Sequence, residues 1–288
     1  MNILSVQSWV AYGHVGNASA VFPLQRLGAE VWAIHTVQFS NHTGYGAWTG
    51  QVYSGEAIAA LVDGIAARGV LGRCDAVLSG YMGDVTIGEA ILDAVARVRQ
   101  ENPAALYACD PVIGDEGRGV FVRPGIPELI RDRALGQADL ATPNHFELAY
   151  LTGAPVLTMP DAKRAVALLR SAMRPDGPRA VLVTSLRTNE TPNDAVDLLA
   201  AAGEDDRCHL LRTPLLPVAV NGAGDAIAAL FLFHWLRTGR AAAALERAGS
   251  AIWGVLKHTV ETGSRELQLV AAQHEFGNPS RPMRSAAC

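Results

Sequence analysis

Short β-prone runs alternate with amphipathic helical stretches along the whole chain, and this rhythm constrains the fold more than any other feature. Residues 2–7, 30–37, 75–79, 105–109, 138–141 and 179–183 read as strands. Residues 17–27, 55–68, 87–101, a segment opening at Asn144, and 162–173 read as helices between them. Gly28 and Gly69 stand where helices of this kind stop. Residues 195–201 and 209–212 read as an antiparallel pair joined by a polar turn over 203–207, and two long helices follow at 224–237 and 241–258. Such alternation requires a mostly parallel central sheet with helices on both faces, so the expected fold class is α/β, a three-layer α-β-α sandwich. Ligands of open α/β sheets sit beyond the carboxyl ends of the strands. The residues just after each strand therefore carry the functional information.

Composition narrows the choice of partner. With 49 % hydrophobic and 18 % charged residues in 288, against roughly 25 % charged on average, the chain is too apolar to be disordered. It is read as one domain over residues 1–276, with a tail over 277–288 expected to fray. Lys plus Arg is 24 and Asp plus Glu is 28, a net charge of −4, which argues against a nucleic-acid partner. The four cysteines, Cys74, Cys109, Cys208 and Cys288, form no C-x-x-C pair. They read as reduced thiols of a cytoplasmic protein rather than a disulfide framework or zinc knuckle. No basic-then-apolar leader opens the chain, and the strongly apolar stretch at 226–236 falls short of the ~20 residues a membrane span needs.

Asn221-Gly222-Ala223-Gly224-Asp225 runs straight into an apolar helix. Two glycines permit a tight turn that exposes consecutive N–H groups at a helix N-terminus, a natural anion site. An aspartate there can take a proton from a hydroxyl held beside that anion, which is a phosphoryl-transfer arrangement. The same residues also read as a glycine turn with a capping aspartate. Neither a P-loop nor a dinucleotide fingerprint is present: no G-x-x-x-x-G-K-[ST] occurs, and Ile227 fills the third glycine position. Asp110, with Pro111 after it, ends a strand where a carboxylate faces the ligand crevice, though Asp-Pro is also an ordinary turn pair. Asn144 and Glu147 have capping-box spacing. Thr184 and Ser185 put hydroxyls at another strand end. Ser8 follows the first strand, and the polar run 39–46 follows the second. Tyr81 offers an aromatic wall after another strand, or covers the edge of the core.

In this order the motifs resemble those of the pyridoxal kinases, within the ribokinase-like superfamily. The matching pieces are Ser8, Phe39-Ser-Asn-His-Thr-Gly-Tyr45, Leu78-Ser-Gly-Tyr81, Cys109-Asp-Pro-Val112, Thr142-Pro-Asn144 with Glu147, Val183-Thr-Ser185 and Gly222-Ala-Gly-Asp225. The resemblance implies transfer of the ATP γ-phosphate to the 5′-hydroxymethyl of a pyridoxal-type substrate by a homodimer. Hydroxymethylpyrimidine or another small alcohol is the nearest alternative substrate, and a non-catalytic binder of pyridoxal phosphate is a further one. Asp225 would be the base, and Gly222, Ala223 and Gly224 the anion hole. Ser8, Thr43, Gly44 and Tyr81 would hold the substrate. Asp110, Thr142, Glu147, Thr184, Ser185, Arg212, Thr213, Pro214 and Leu215 would meet ATP, and Asp110, Asp115 and Glu147 would lie around Mg²⁺, with a monovalent cation as a further candidate. Some members hold lysine at the position of Thr184. Residues 116–122, with Gly117 and Gly119, match a loop that covers the nucleotide.

Overall fold

The computed structural model describes residues 1–203 and 207–288. Its strands are β1 (Asn2–Tyr12), β2 (Glu30–Asn41), β3 (Gly50–Val52), β4 (Ala76–Ser79), β5 (Leu106–Cys109), β6 (Gly114–Asp115), β7 (Gly119–Val120), β8 (Leu140–Ala141), β9 (Ala180–Leu186), β10 (Ala195–Ala201), β11 (Cys208–Pro214) and β12 (Ala286–Ala287). Its helices are α1 (Asn17–Arg26), α2 (Gly55–Ala66), α3 (Val85–Glu101), α4 (Ile126–Leu129), α5 (His145–Thr152), α6 (Met159–Ala172), α7 (Ala223–Thr238), α8 (Ala241–Glu261) and α9 (His274–Gly277). Of the turn expected over 203–207, residues 204–206 lie outside the described residues.

One sheet runs in the order β12-β11-β10-β9-β8-β5-β4-β1-β2-β3, and β6 and β7 form a separate hairpin. The strands from β9 to β2 pair in parallel, while β3 and β10 to β12 add antiparallel margins. Side chains alternate between two cores, as the two-residue period of a strand demands. Leu4, Val6, Val77, Tyr107, Cys109, Val181 and Val183 face α2, α3 and α6. Ile3, Ala76, Leu78, Ala108, Leu140 and Leu182 face α1, α7 and α8. The expected three-layer sandwich is therefore present.

Strand order reverses at β1, which pairs with β2 on one side and β4 on the other. A crevice opens at such a reversal, beyond the carboxyl ends of the strands. β1 extends past the expected end at Gln7 because its register with β2 shifts between Gln7 and Trp9 and then resumes to Tyr12. The irregularity falls at Ser8, a place where a bulge re-aims a side chain. The tail also differs from expectation. β12 pairs with β11, and Glu246 accepts from the Ser285 N–H at 3.0 Å while Ser250 accepts from the Met283 N–H at 2.9 Å. These acceptors on α8 give the tail's backbone partners that its composition did not reveal.

Candidate active site

A cavity of about 880 Å³ lies over the strand reversal, roofed by the β6–β7 hairpin and walled by α7 and α8. Of the residues singled out in the sequence, Ser8, Thr43, Tyr81, Asp110, Asp115, Thr142, Glu147, Thr184, Ser185, Thr213, Gly222, Ala223, Gly224 and Asp225 line it. Gly44 sits just behind this wall, so close that an added Cβ would stand 2.7 Å from Asn221 Nδ2. Arg212, Pro214 and Leu215 do not line it. The Arg212 guanidinium instead pairs with buried Asp197 across the β10–β11 ladder, Nε at 2.7 Å and Nη2 at 2.8 Å. The Pro214 carbonyl accepts from Trp253 Nε1 at 3.1 Å, and Leu215 is exposed.

Gly222 caps α7 with φ of 91°, a left-handed conformation that glycine adopts without strain. A Cβ there would also meet the His14 carbonyl oxygen at 1.7 Å. The first N–H groups of α7 have no acceptor within the helix, and Gly222 to Asp225 all line the cavity. Asp225 keeps part of its surface open to the cavity, yet desolvation pushes its carboxyl up to about 6 against hydrogen bonds from the Gly16 N–H and its own.

The capping box expected at Asn144 and Glu147 is formed in full. It does more than cap α5. Glu147 Oε1 also accepts from the Ile113 N–H at 2.9 Å and the Gly114 N–H at 3.4 Å, and the Asn144 amide donates to the Gly114 carbonyl at 2.8 Å. One helix start thus fixes the loop that carries Asp110 and Asp115. Burial raises the Glu147 carboxyl to about 8 despite these bonds. Asp110 is raised well above the usual carboxylate range, first by burial and then by the charges of Asp225 and Glu147, while the Thr142 hydroxyl, donating at 2.8 Å, pulls the other way.

Among the described residues no three His, Cys, Asp or Glu side chains form a closed metal cage, and no basic side chain ion-pairs with Asp110 or Glu147. Cavity acids without a cationic partner suit Mg²⁺, which keeps waters and takes one or two carboxylates together with phosphate oxygens. The basic side chains lining the cavity are Arg118 and Arg123, apart from the imidazole of His42. Arg118, between Gly117 and Gly119, lies 5.0 Å over the Phe121 ring.

Several lining residues were not singled out in the sequence. Gly249, Ile252, Trp253 and Leu256 come from α8, and their spacing of three, one and three marks one helical face. That face reads as core in the sequence because core and cavity wall share the same apolar signature. Cys109 and His234 are both buried in the core and away from the cavity wall. Burial raises the Cys109 thiol to about 12 and lowers the His234 imidazole to about 4.

The sequence profile of the phosphomethylpyrimidine kinase family matches residues 34–269. Over 288 residues, all of both chains, this chain is 65 % identical to pyridoxal kinase PdxY of Granulibacter bethesdensis. It is 58 % identical to pyridoxal kinase PdxY of Deinococcus radiodurans over 280 residues, 96 % of this chain and 93 % of that one. In three dimensions it is similar to the pyridoxal kinase of Leishmania donovani in complex with ADP and pyridoxamine. There the TM-score is 0.91 at 28 % identity, covering 100 % of this chain and 99 % of that one.

Proposed function

The chain belongs to the phosphomethylpyrimidine kinase family and, within it, to the pyridoxal kinases, and from that premise we propose how its cavity transfers a phosphoryl group. The reaction is ATP-dependent phosphorylation of the 5′-hydroxymethyl group of pyridoxal. Asp225 accepts the hydroxyl proton as the alcohol oxygen attacks the γ-phosphorus. The new O–P bond forms as the bond to the β,γ-bridging oxygen breaks, and that electron pair leaves with ADP. The α7 amides from Gly222 to Gly224 meet the charge on the moving phosphoryl group, where donors already in place need little reorganisation. Ser8, Thr43 and Tyr81 hold the ring, with Gly44 allowing the turn that carries Thr43 to close on Asn221. Thr142, Thr184, Ser185 and Thr213 present hydroxyls to the nucleotide.

Asp110, Asp115 and Glu147 would hold Mg²⁺, which neutralises phosphate charge when bound. With three backbone N–H groups already on its carboxylate, Glu147 would serve such an ion through its remaining acceptor capacity. Arg212 and Pro214 support the adenosine side from behind, through the β10–β11 ladder and Trp253, and Leu215 follows the end of that ladder. The same reading carries a cytoplasmic homodimer, which sedimentation and fractionation test.

The observation that carries the proposal is a carboxylate tuned to about 6 on the first turn of a helix whose free amides face the same cavity. Asp225→Asn should keep pyridoxal binding and lower turnover by at least about a hundredfold, the usual scale of general-base loss. Full turnover in that variant, assayed with ATP and pyridoxal, would remove Asp225 from its role. Running the wild type against pyridoxal, hydroxymethylpyrimidine and sugars separates this reading from a kinase for another alcohol.

A further inference from the structure

Glu266 stands outside every motif above, on the segment between α8 and α9, yet its carboxylate touches His42, which lines the cavity. It is 8 % exposed. Oε1 accepts from the Tyr45 hydroxyl at 2.6 Å and lies 2.9 Å from His42 Nε2. Oε2 accepts from the His14 N–H at 3.2 Å. The Tyr45 phenol is pushed up to about 12, first by this hydrogen bond, so it stays a donor. Gly13 has φ of +90°, and a Cβ on it would stand 2.3 Å from Glu266 Oε2. That glycine therefore makes room for the carboxylate as well as for the turn. The partners belong to two loops: the ring-binding turn at 42–45, and the turn whose His14 carbonyl closes on Gly222.

A carboxylate only accepts hydrogen bonds, so the proton between Glu266 and His42 sits on Nε2. In its neutral form the imidazole then keeps its lone pair on Nδ1. Asn221 Nδ2 is 3.4 Å from that atom and can donate to it. Both His42 and Asn221 line the cavity, and Asn221 immediately precedes the glycine turn.

We propose that Glu266 is a positioning residue for phosphoryl transfer: by fixing His42 as the Nε2–H tautomer it ties the ring-binding turn to Asn221 and the phosphate-binding turn. This rests on the kinase reading of the site. The alcohol and the phosphoryl group are held by different loops, and the Glu266–His42–Asn221 chain sets their separation. A misplacement of about 1 Å costs on the order of a hundredfold in rate, so such a tie acts on kcat as well as on binding.

The test compares full-length wild type with Glu266→Ala, Glu266→Gln and Asn221→Ala. Kinetics are run with pyridoxal and ATP varied separately, alongside melting curves and ¹⁵N–¹H spectra of the ligand-free histidine rings. Glu266→Ala should lower kcat by about tenfold to a hundredfold and raise KM for pyridoxal, with KM for ATP unchanged. Glu266→Gln should restore much of the loss, because its amide oxygen still accepts from Tyr45 and His42. Glu266→Ala and Asn221→Ala should combine with less than the product of their separate effects, as coupled residues do. The His42 ring should report Nε2–H in the wild type and mixed tautomers in Glu266→Ala.

Wild-type kcat and KM in Glu266→Ala would overturn the proposal. So would a loss of kcat that tracks loss of folded protein with both KM values unchanged, or an Nδ1–H tautomer in the wild type. If the wild type itself does not phosphorylate pyridoxal, the kinase reading fails instead, and the ring spectra still decide whether Glu266 sets the His42 tautomer.

Discussion

In its proposed role as base Asp225 must be a carboxylate, yet it sits where a carboxylate is poorly solvated. Its value of about 6 follows from that conflict and places an acid limb inside the working range of a cell. Below about pH 6 Asp225 is protonated and cannot act as base, so kcat/KM should fall about tenfold per pH unit, as for one essential ionisation. The limb should level off above about pH 7. A rate profile against free enzyme whose limb lies near pH 4 instead would show that the field around Asp225 is wrongly drawn. Asp225 is legible in the sequence because two glycines and an acid precede an apolar helix. Glu266 is not, because its contact with Tyr45 spans 221 residues and leaves no period or spacing to read.

In the proposed mechanism helix α7 presents its backbone amides to the moving phosphoryl group, and its two glycines divide the task. Gly222 needs a positive φ and an empty β position, since the His14 carbonyl and the Ser19 hydroxyl crowd it. Gly224 has nothing within 4 Å of an added Cβ. Gly222→Ala should therefore lose at least about 1 kcal/mol of stability, the scale of backbone strain at such sites, together with activity. Gly224→Ala should melt like the wild type, while its KM for ATP rises if that surface meets phosphate. Equal melting losses in the two variants would contradict this division. The longer elements follow from apolar period and caps, which is why α3 and α5 appear close to where the sequence predicts them. β3, β6 and β7 do not, since each has only two or three residues, too few for a period to show. The sequence signal for β1 stops early because the irregularity at Ser8 interrupts its alternation, and that interruption is what turns a core strand into a wall of the cavity.

At the scale of the whole molecule, the acids behind the net charge of −4 are unevenly placed, and the fold bears a cost for gathering some of them over one crevice. Asp110, Glu147 and Asp225 are all raised above their ordinary values, chiefly by burial. Above the ordinary carboxylate range the folded chain therefore holds more protons at these groups than the unfolded chain. Stability then falls as pH rises, because the slope follows protons bound unfolded minus protons bound folded. For Glu147 the loss should run from about pH 4.5 to about pH 8. Asp84, Asp132, Asp161 and Glu190 are lowered instead, so their contribution is lost only in acid, below this window. The ligand-free melting temperature should thus decline between about pH 6 and about pH 8. Glu147→Gln should flatten the decline, since a neutral amide binds no proton in either state. Mg²⁺ with ATP should flatten it too, by giving the cavity acids a cation. A melting temperature that rises over this interval would mean that the gathered carboxylates are better solvated than their burial implies.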